Sequence, residues 1–299
     1  MKKLLFLSLL VCAIKLIGAE AYFTMENDCF LSGGGDDDYT HGTGLEFITD
    51  NRIHFKLQQN MYAPKDLSKY PPDPKDRPYA GLLLGGVGYE FFQDPESPWT
   101  HYGEFNFGMV GPSSKAGETQ KWVHRWLDCK EPKGWDYQIH DEFVVNGQWW
   151  TKYNYYFNDY VALVPRAGVL AGTLQDALEI GCDLKVGWNI REHKDVGNNI
   201  MFSAPAKRSW LDKVSFWVFG GVGERYYLYN HIIEGSLFNN KDDKLCNVDI
   251  EPFVTELRAG AVLKAYDFYI SYIAVFRTKE FEGQKTRPDY GCITVGYSF

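Results

Sequence analysis

Four short segments carry the polar groups from which a reactive site could be built. They are Glu26-Asn27-Asp28, Asp36-Asp37-Asp38-Tyr39-Thr40-His41-Gly42, Asp76-Arg77-Pro78-Tyr79-Ala80-Gly81, and Gly111-Pro112 followed by Glu118, Gln120 and His124. Carboxylate, amide and hydroxyl oxygens are the donors that Ca²⁺ prefers. A bound cation of that kind polarises an ester carbonyl and holds the oxyanion that develops on it. A single histidine, neutral near pH 7, can take a proton from water as general base. Ala116–Leu127 reads as a short helix after Pro112, and Gln120 and His124, four residues apart, share one face of it. Trp122 and Trp126 on the same helix suit an interface between water and lipid. Together these groups make a coherent set for metal-assisted hydrolysis. Taken singly, each has an ordinary reading: an Asn-Asp turn, a solvated acidic loop, the start of a strand, a surface histidine. No Gly-x-Ser-x-Gly nucleophile elbow is present. The seven His are scattered without His-x3-His, and the Cys spacing matches no zinc ligand set.

Strands must position these groups. In Leu178–Ile190 the even positions are apolar, while the odd ones are Glu179, Gly181, Asp183, Lys185, Gly187 and Asn189. Successive side chains on a strand point to opposite faces, so this pattern sets lipid against a polar lumen. The last residues alternate likewise, with Ile293, Val295, Tyr297 and the terminal Phe299 on one face. An all-β transmembrane antiparallel barrel is expected, with about twelve strands at 21–27, 41–50, 52–62, 80–92, 99–110, 142–157, 159–172, 176–190, 213–229, 248–263, 265–278 and 289–299. Residues 1–21 read as a signal peptide: Met1-Lys2-Lys3, an apolar stretch from Leu4 to Ile14, and Ala19-Glu20-Ala21 as cleavage site. The barrel domain is then 22–299, with the mature chain starting at Tyr22. With both termini inside, the long connections Cys29–Thr40, Ala63–Tyr79, Gly111–Asp141 and Asn230–Asn247 fall on the external side, and all four polar segments collect at the outer rim. Arg191–Asp212 is a long connection on the inner side, which this scheme does not explain.

Composition agrees. Of 31 Lys+Arg and 39 Asp+Glu, the leader takes three Lys and one Glu, leaving 28 and 38, net −10. Nucleic acid is a poor partner for such a chain. Aromatics make up 16% of the residues and there are 29 Gly, as strands, turns and interfacial girdles require. Mean hydropathy is only −0.34, because half of each strand faces water. Of the five Cys beyond the leader, Cys182 and Cys292 lie on strands, while Cys29, Cys129 and Cys246 lie in loops and could include one disulfide.

Asn27-Asp28, Asp-x-x-Tyr-Thr-x-Gly, Tyr62-Ala63-Pro64, Asp76-Arg77, Gly111-Pro112 with Gln120-x3-His124-Arg125, and the terminal Phe299 occur in an order and spacing that resembles the outer-membrane lipid A 3'-O-deacylase family. The resemblance runs along most of the mature chain. It implies a calcium-dependent esterase of the Gram-negative outer membrane that removes the 3'-linked acyloxyacyl chain of lipid A in lipopolysaccharide from the outer leaflet; a monomer is expected. By it, His124 is the catalytic base, Asn27 and Thr40 belong to the site, Gln120 partners the histidine, Asp28 is the best calcium ligand, and Lys75 and Arg77 lie near the substrate's polar head. Arg125 is a further candidate for anionic phosphate. The family's acidic residue after the histidine has two competitors here, Lys130 and Glu131. Asp37 replaces what is often a basic residue. His41 occupies a variable position, so its loss is expected to be mild. Two rivals remain. One is an outer-membrane acyl hydrolase of phospholipid using Ser113 or Ser114. The other is a non-enzymatic barrel, a small channel or a structural protein, which Glu179, Lys185, Glu256 and Arg258 could plug so that it need not conduct, and against which the ordered rim motifs argue.

Overall fold

A sheet with one apolar and one charged face can sit in a bilayer only if it closes, leaving no edge open to lipid. The computed structural model, which describes residues 20–31, 38–91, 94, 97–192, 194–196, 201–203, 214–242 and 244–299, closes in this way. Its barrel strands are β1 (Glu20–Asn27), β2 (Asp38–Ile48), β3 (Ile53–Ala63), β4 (Ala80–Phe91), β5 (Trp99–Val110), β6 (Glu142–Tyr153), β7 (Val161–Gly172), β8 (Gln175–Trp188), β9 (Val214–Asn230), β10 (Phe253–Ala265), β11 (Phe268–Arg277) and β12 (Tyr290–Ser298). Each pairs antiparallel with its neighbours in sequence. The ring is completed by β1 on β12, from Glu20↔Ser298 to Asn27↔Gly291. A two-residue strand, Tyr155–Tyr156, and a small hairpin of Lys194–Val196 with Met201–Ser203 lie in the inner connections.

The twelve expected strands are all present. The largest displacement is β10, expected from 248 but starting at Phe253. The preceding residues belong to an external loop instead, tied by the Ile250↔Phe281 bridge and by Glu251 N–H donating to the Glu280 carbonyl. The expected leader lies outside the described residues except for Glu20 and Ala21, which open β1. Asp36 and Asp37 also lie outside them, as does most of the long inner connection. Cys29, Cys129, Cys182, Cys246 and Cys292 are all free thiols, so the disulfide left open by the sequence is not formed.

The two faces sort by polarity. Leu45, Phe105, Leu178 and Ile180 point outward and are more than half exposed. So wide an apolar belt suits lipid and would be unusual on a soluble monomer. Inward, the charges pair with one another: Arg166 reaches Glu179 at 3.3 Å and Asp183 at 2.9 Å, Arg258 Nε donates to Asp183 at 2.8 Å, and Arg277 meets Glu256 at 3.0 Å. An apolar cluster of Tyr22, Ile48, Ile190, Trp217 and Tyr269 fills the inner end of the lumen. A second, including Leu82, Val110, Ile139, Ile232 and Phe281, fills the outer end beneath the loops. A polar cavity of about 260 Å³ lies inside the barrel, lined by Lys56, Asn60, Arg225 and Arg277 among others. No helix among the described residues is long and apolar enough to cross a membrane.

Interlocked external loops hold the rim. The β3–β4 and β5–β6 connections join through Tyr79↔Gln138 and through Lys133 N–H donating to the Leu67 carbonyl. The His140 amide donates to Asp242 of the β9–β10 loop at 2.9 Å. Gln284 and Thr286 of the β11–β12 loop both donate to the Asp38 carboxylate, at 2.7 Å each.

Candidate active site

The helix expected in the third external loop is present as α1 (Ala116–Trp126). Its approach is fixed at Gly111, whose φ of 94° is open to glycine and whose Cβ position lies 2.6 Å from the His140 carbonyl. Ala116, Gly117, Gln120 and His124 form its buried face, while Trp122 and Trp126 are 62% and 76% exposed on the other side. The buried face rests on the outer wall of the barrel. Met61 has the same parity on β3 as the outward Phe55 and Leu57, and it packs in one cluster with Ala63, Tyr79, Ala116 and Trp135. Gly81, its partner on β4, leaves the space that Ser114 and Ala116 occupy: a Cβ there would lie 2.5 Å from that of Ala116. Gln59 Nε2 donates to the Ser114 carbonyl at 2.7 Å.

After α1 the chain turns through Asp128 at φ 56°, with the Cys129 amide donating to the His124 carbonyl at 2.8 Å. That turn brings the Lys130 carbonyl to His124 Nδ1, at 2.7 Å. A carbonyl can only accept, so Nδ1 carries the proton and Nε2 is the basic nitrogen of the neutral ring. Thus it is the Lys130 backbone that orients the histidine. Glu131 pairs with Arg125 at 3.7 Å instead, both partly exposed. Gln120 does not orient the ring: its Oε1 accepts from Trp135 Nε1 at 2.7 Å, and its buried Nε2 donates to nothing among the described residues.

Asn27, at the end of β1, has the outward parity of Phe23 and Met25. Its Oδ1 accepts from the Cys29 amide at 2.8 Å, capping the short 3-10 turn Asp28–Phe30. Its Nδ2 lies 3.1 Å from His41 Nδ1, and His41 Nε2 lies 2.7 Å from Thr43 Oγ1. Thr40 is buried at the irregularity in β2 where the register on β3 shifts between Tyr39 and His41. Asp28 is 4% exposed. Asn27, His41, Met61 and Gly81 are consecutive register partners across β1–β4, so they form one outward row of three steps, about 14 Å in all. Asn27 and its neighbours lie at one end of the row, and the helix with Gln120 and His124 stands on the other.

The basic residues divide. Lys75 and Arg125 are exposed. Arg77, expected near an anionic head group, is wholly buried: its Nη1 is 3.2 Å from Glu280 and its guanidinium lies 4.6 Å from the centre of the Tyr62 ring. Burial of a cation requires such a partner, and here the pairing ties the β3–β4 loop to the β11–β12 loop. Ser114 donates to the Gly111 carbonyl at 2.6 Å, and Ser113 to Asp141 at 2.9 Å. Neither is arranged as a nucleophile beside His124.

For calcium, the described residues offer oxygens of the right kind: the Asp28 carboxylate, which follows Asn27, and the Thr40 hydroxyl, which precedes His41, the register partner of Asn27. No group of three His, Cys, Asp or Glu side chains that could hold a metal occurs among the described residues. A cation would therefore lean on amide, hydroxyl, backbone or water oxygens as well. Sequence reasoning missed the Asn27–His41 contact and the Trp135 anchor. The first was within reach, since both residues fall on the apolar parity of adjacent strands; the second depends on a loop fold that no spacing announces.

The family model described as "Outer membrane protein LpxR" matches residues 4–299. Among solved structures, LpxR from Salmonella typhimurium superposes with a TM-score of 0.80 at 20% identity, covering 94% of this chain and 100% of that one. The KdgM porin superposes with a TM-score of 0.42 at 7% identity, covering 94% and 99%. No curated protein sequence matches the chain.

Proposed function

The chain belongs to the LpxR family of outer-membrane proteins, and from that premise we propose that it is an esterase that releases the 3'-O-linked acyloxyacyl chain of lipid A in the outer leaflet. One observation supports this most: a histidine with a fixed tautomer, His124, on a helix that stands on the lipid side of the wall, at the rim where Asn27 also has outward parity and Asp28 follows it, buried, in the turn. An ester whose chains lie in the leaflet and whose sugars lie above it meets the barrel at that height.

In this reading His124 Nε2 takes the proton from an attacking water while the Lys130 carbonyl stabilises the imidazolium that forms at Nδ1–H. Gln120 Nε2, one turn before, is available to the developing oxyanion. Asn27, held by the Cys29 amide and by His41, positions the substrate or water. Asp28, with Asn27 and Thr40, would hold Ca²⁺, which when bound supplies Lewis-acid polarisation of the ester carbonyl. Lys75 and Arg125 face the anionic head group from the loops, and Arg77 braces those loops from beneath. The protein is expected to work as a monomer, since the row of site residues lies within one chain. Mass spectrometry of lipid A from cells with and without the protein tests the reading. Loss of the 3' acyloxyacyl chain only in its presence supports it; unchanged lipid A with intact, surface-exposed protein refutes it.

A further inference from the structure

The outer wall beyond the site carries a row of small residues, of which the nearest to the site, Gly291, is covered by Phe30. Gly291, Ala274, Ala259 and Gly220 are register partners on β12, β11, β10 and β9, and all have outward parity. Gly291 is also the partner of Asn27 on β1. Four steps of about 4.8 Å carry this row roughly 19 Å from Asn27. Because barrel strands tilt, it descends from the rim to Gly220 in the middle of β9. Just inward of it an apolar groove of about 280 Å³ is lined by Phe216, Ala261, Leu263, Ile270, Tyr272 and Ile293. Two contacts tie the groove to the segment that carries the site. The Tyr272 hydroxyl donates at 2.9 Å to the carbonyl of Phe30, which closes the turn that Asp28 opens. Ile293 is the register partner of Met25, two residues before Asn27.

We propose that this groove seats a fatty acyl chain of the lipid whose ester is cleaved, and so sets which chain reaches Asn27 and Asp28. The proposal rests on the function argued above. The occupant is an acyl chain because the groove is apolar and lies on the face turned to the hydrocarbon. It is the substrate's chain, not a bulk phospholipid's, because Tyr272 of the groove is hydrogen-bonded to the turn that carries Asp28 and Ile293 pairs with Met25, two residues before Asn27. An apolar trough beside a reacting centre fixes the register of a flexible chain and lowers the entropy lost on reaching it.

The test is photolabelling of the full-length protein in dodecylmaltoside micelles by lipid A bearing a diazirine midway along its acyl chains. Labelling concentrated on Phe216–Val218, Ala261–Leu263 and Ile270–Tyr272, displaced by unlabelled lipid A and not by phosphatidylethanolamine, supports the proposal. Uniform labelling around the barrel, or equal displacement by phosphatidylethanolamine, overturns it. Ala261→Trp fills the groove from a lipid-facing position and is expected to raise KM for lipid A about tenfold with kcat within about twofold. Val87→Trp, on the outward face of β4, is expected to change neither. Acyl release by Ala261→Trp equal to that of the parent protein overturns the groove while leaving the esterase reading intact. A parent protein that binds the probe in the groove yet releases no acyl chain refutes the esterase and leaves the groove standing.

Discussion

His124 and His41 are both external and both hydrogen-bonded, but to different kinds of partner. The Lys130 carbonyl forces one tautomer on His124 and leaves Nε2 basic. Replacement of His124 by Ala is therefore expected to lower kcat by about 10²–10⁴-fold, the range general base catalysis supplies, while the heat-modifiable mobility of the barrel is unchanged. His41 holds Asn27 and Thr43. Its loss removes one orienting hydrogen bond, about 1 kcal/mol, so His41→Ala is expected to cost roughly fivefold in activity. If acyl release survives in the His124 variant and vanishes in the His41 variant, the two roles are reversed. Asp28→Ala is expected to abolish activity that chelation of Ca²⁺ also abolishes. Full activity in excess chelator would remove the metal from the mechanism.

At the scale of the element, α1 owes its place to Trp135, which is 2% exposed, packs with Met61, Tyr79 and Ala116, and donates to Gln120. Truncating a buried Trp to Ala typically costs about 3–5 kcal/mol. Here that cost falls on the docking of one helix. Trp135→Ala is expected to make the segment after Gly111 sensitive to limited proteolysis and to abolish activity, while the β-sheet circular dichroism persists. Loss of the barrel itself would contradict this division. The β9–β10 loop is expected to respond to pH. His231 is buried at its start, and that burial pushes its pKa below the ordinary value, with the neighbouring Glu142 charge only partly opposing this. A histidine kept neutral in the folded loop contributes no penalty above the unfolded value, about 6.5, and destabilises the loop as pH falls through it. Hydrogen-exchange protection in residues 231–242, relative to the intrinsic rate at each pH, is expected to fall below about pH 6, and in His231→Gln this loss of protection is expected to be absent.

For the whole molecule, apolar clusters lie at both ends of the lumen and ion pairs cross it between them among the described residues. Planar bilayers containing the protein are expected to show no steady conductance; discrete open channels would favour the channel reading. Phe299, at the end of the closing strand, packs edge-on against Tyr297 with ring centres 5.0 Å apart. Deleting it or replacing it with Asp is expected to reduce the folded, outer-membrane fraction severalfold without changing the specific activity of what assembles. The outward site also predicts where the reaction occurs. Deacylated lipid A is expected only after transport to the outer leaflet, so its appearance when transport is blocked would refute this topology.

The sequence by itself determined the strands, their faces and the helix that bears His124. Strand periodicity is a local property, and each of Leu178–Ile190, Ile53–Asn60 and Ile293–Phe299 states its own two faces. It also determined which residues stand at the rim, because alternate connections of a barrel share a side. What it could not determine was how the long loops fold. Arg77 in sequence is a guanidinium beside an Asp, fit for a phosphate; only the packing of the β11–β12 loop supplies Glu280 and buries it. The carbonyl of Lys130, not its side chain or that of Glu131, meets His124, and a backbone oxygen leaves no mark in residue types. The helix could have covered the mouth of the barrel. It lies on the outer wall instead because the small residues Gly81 and Ala116 let the two surfaces close while Trp135 fills the space beside them. That placement depends on the shape of a surface assembled from β3, β4 and a distant loop, and only the tertiary structure brings those together.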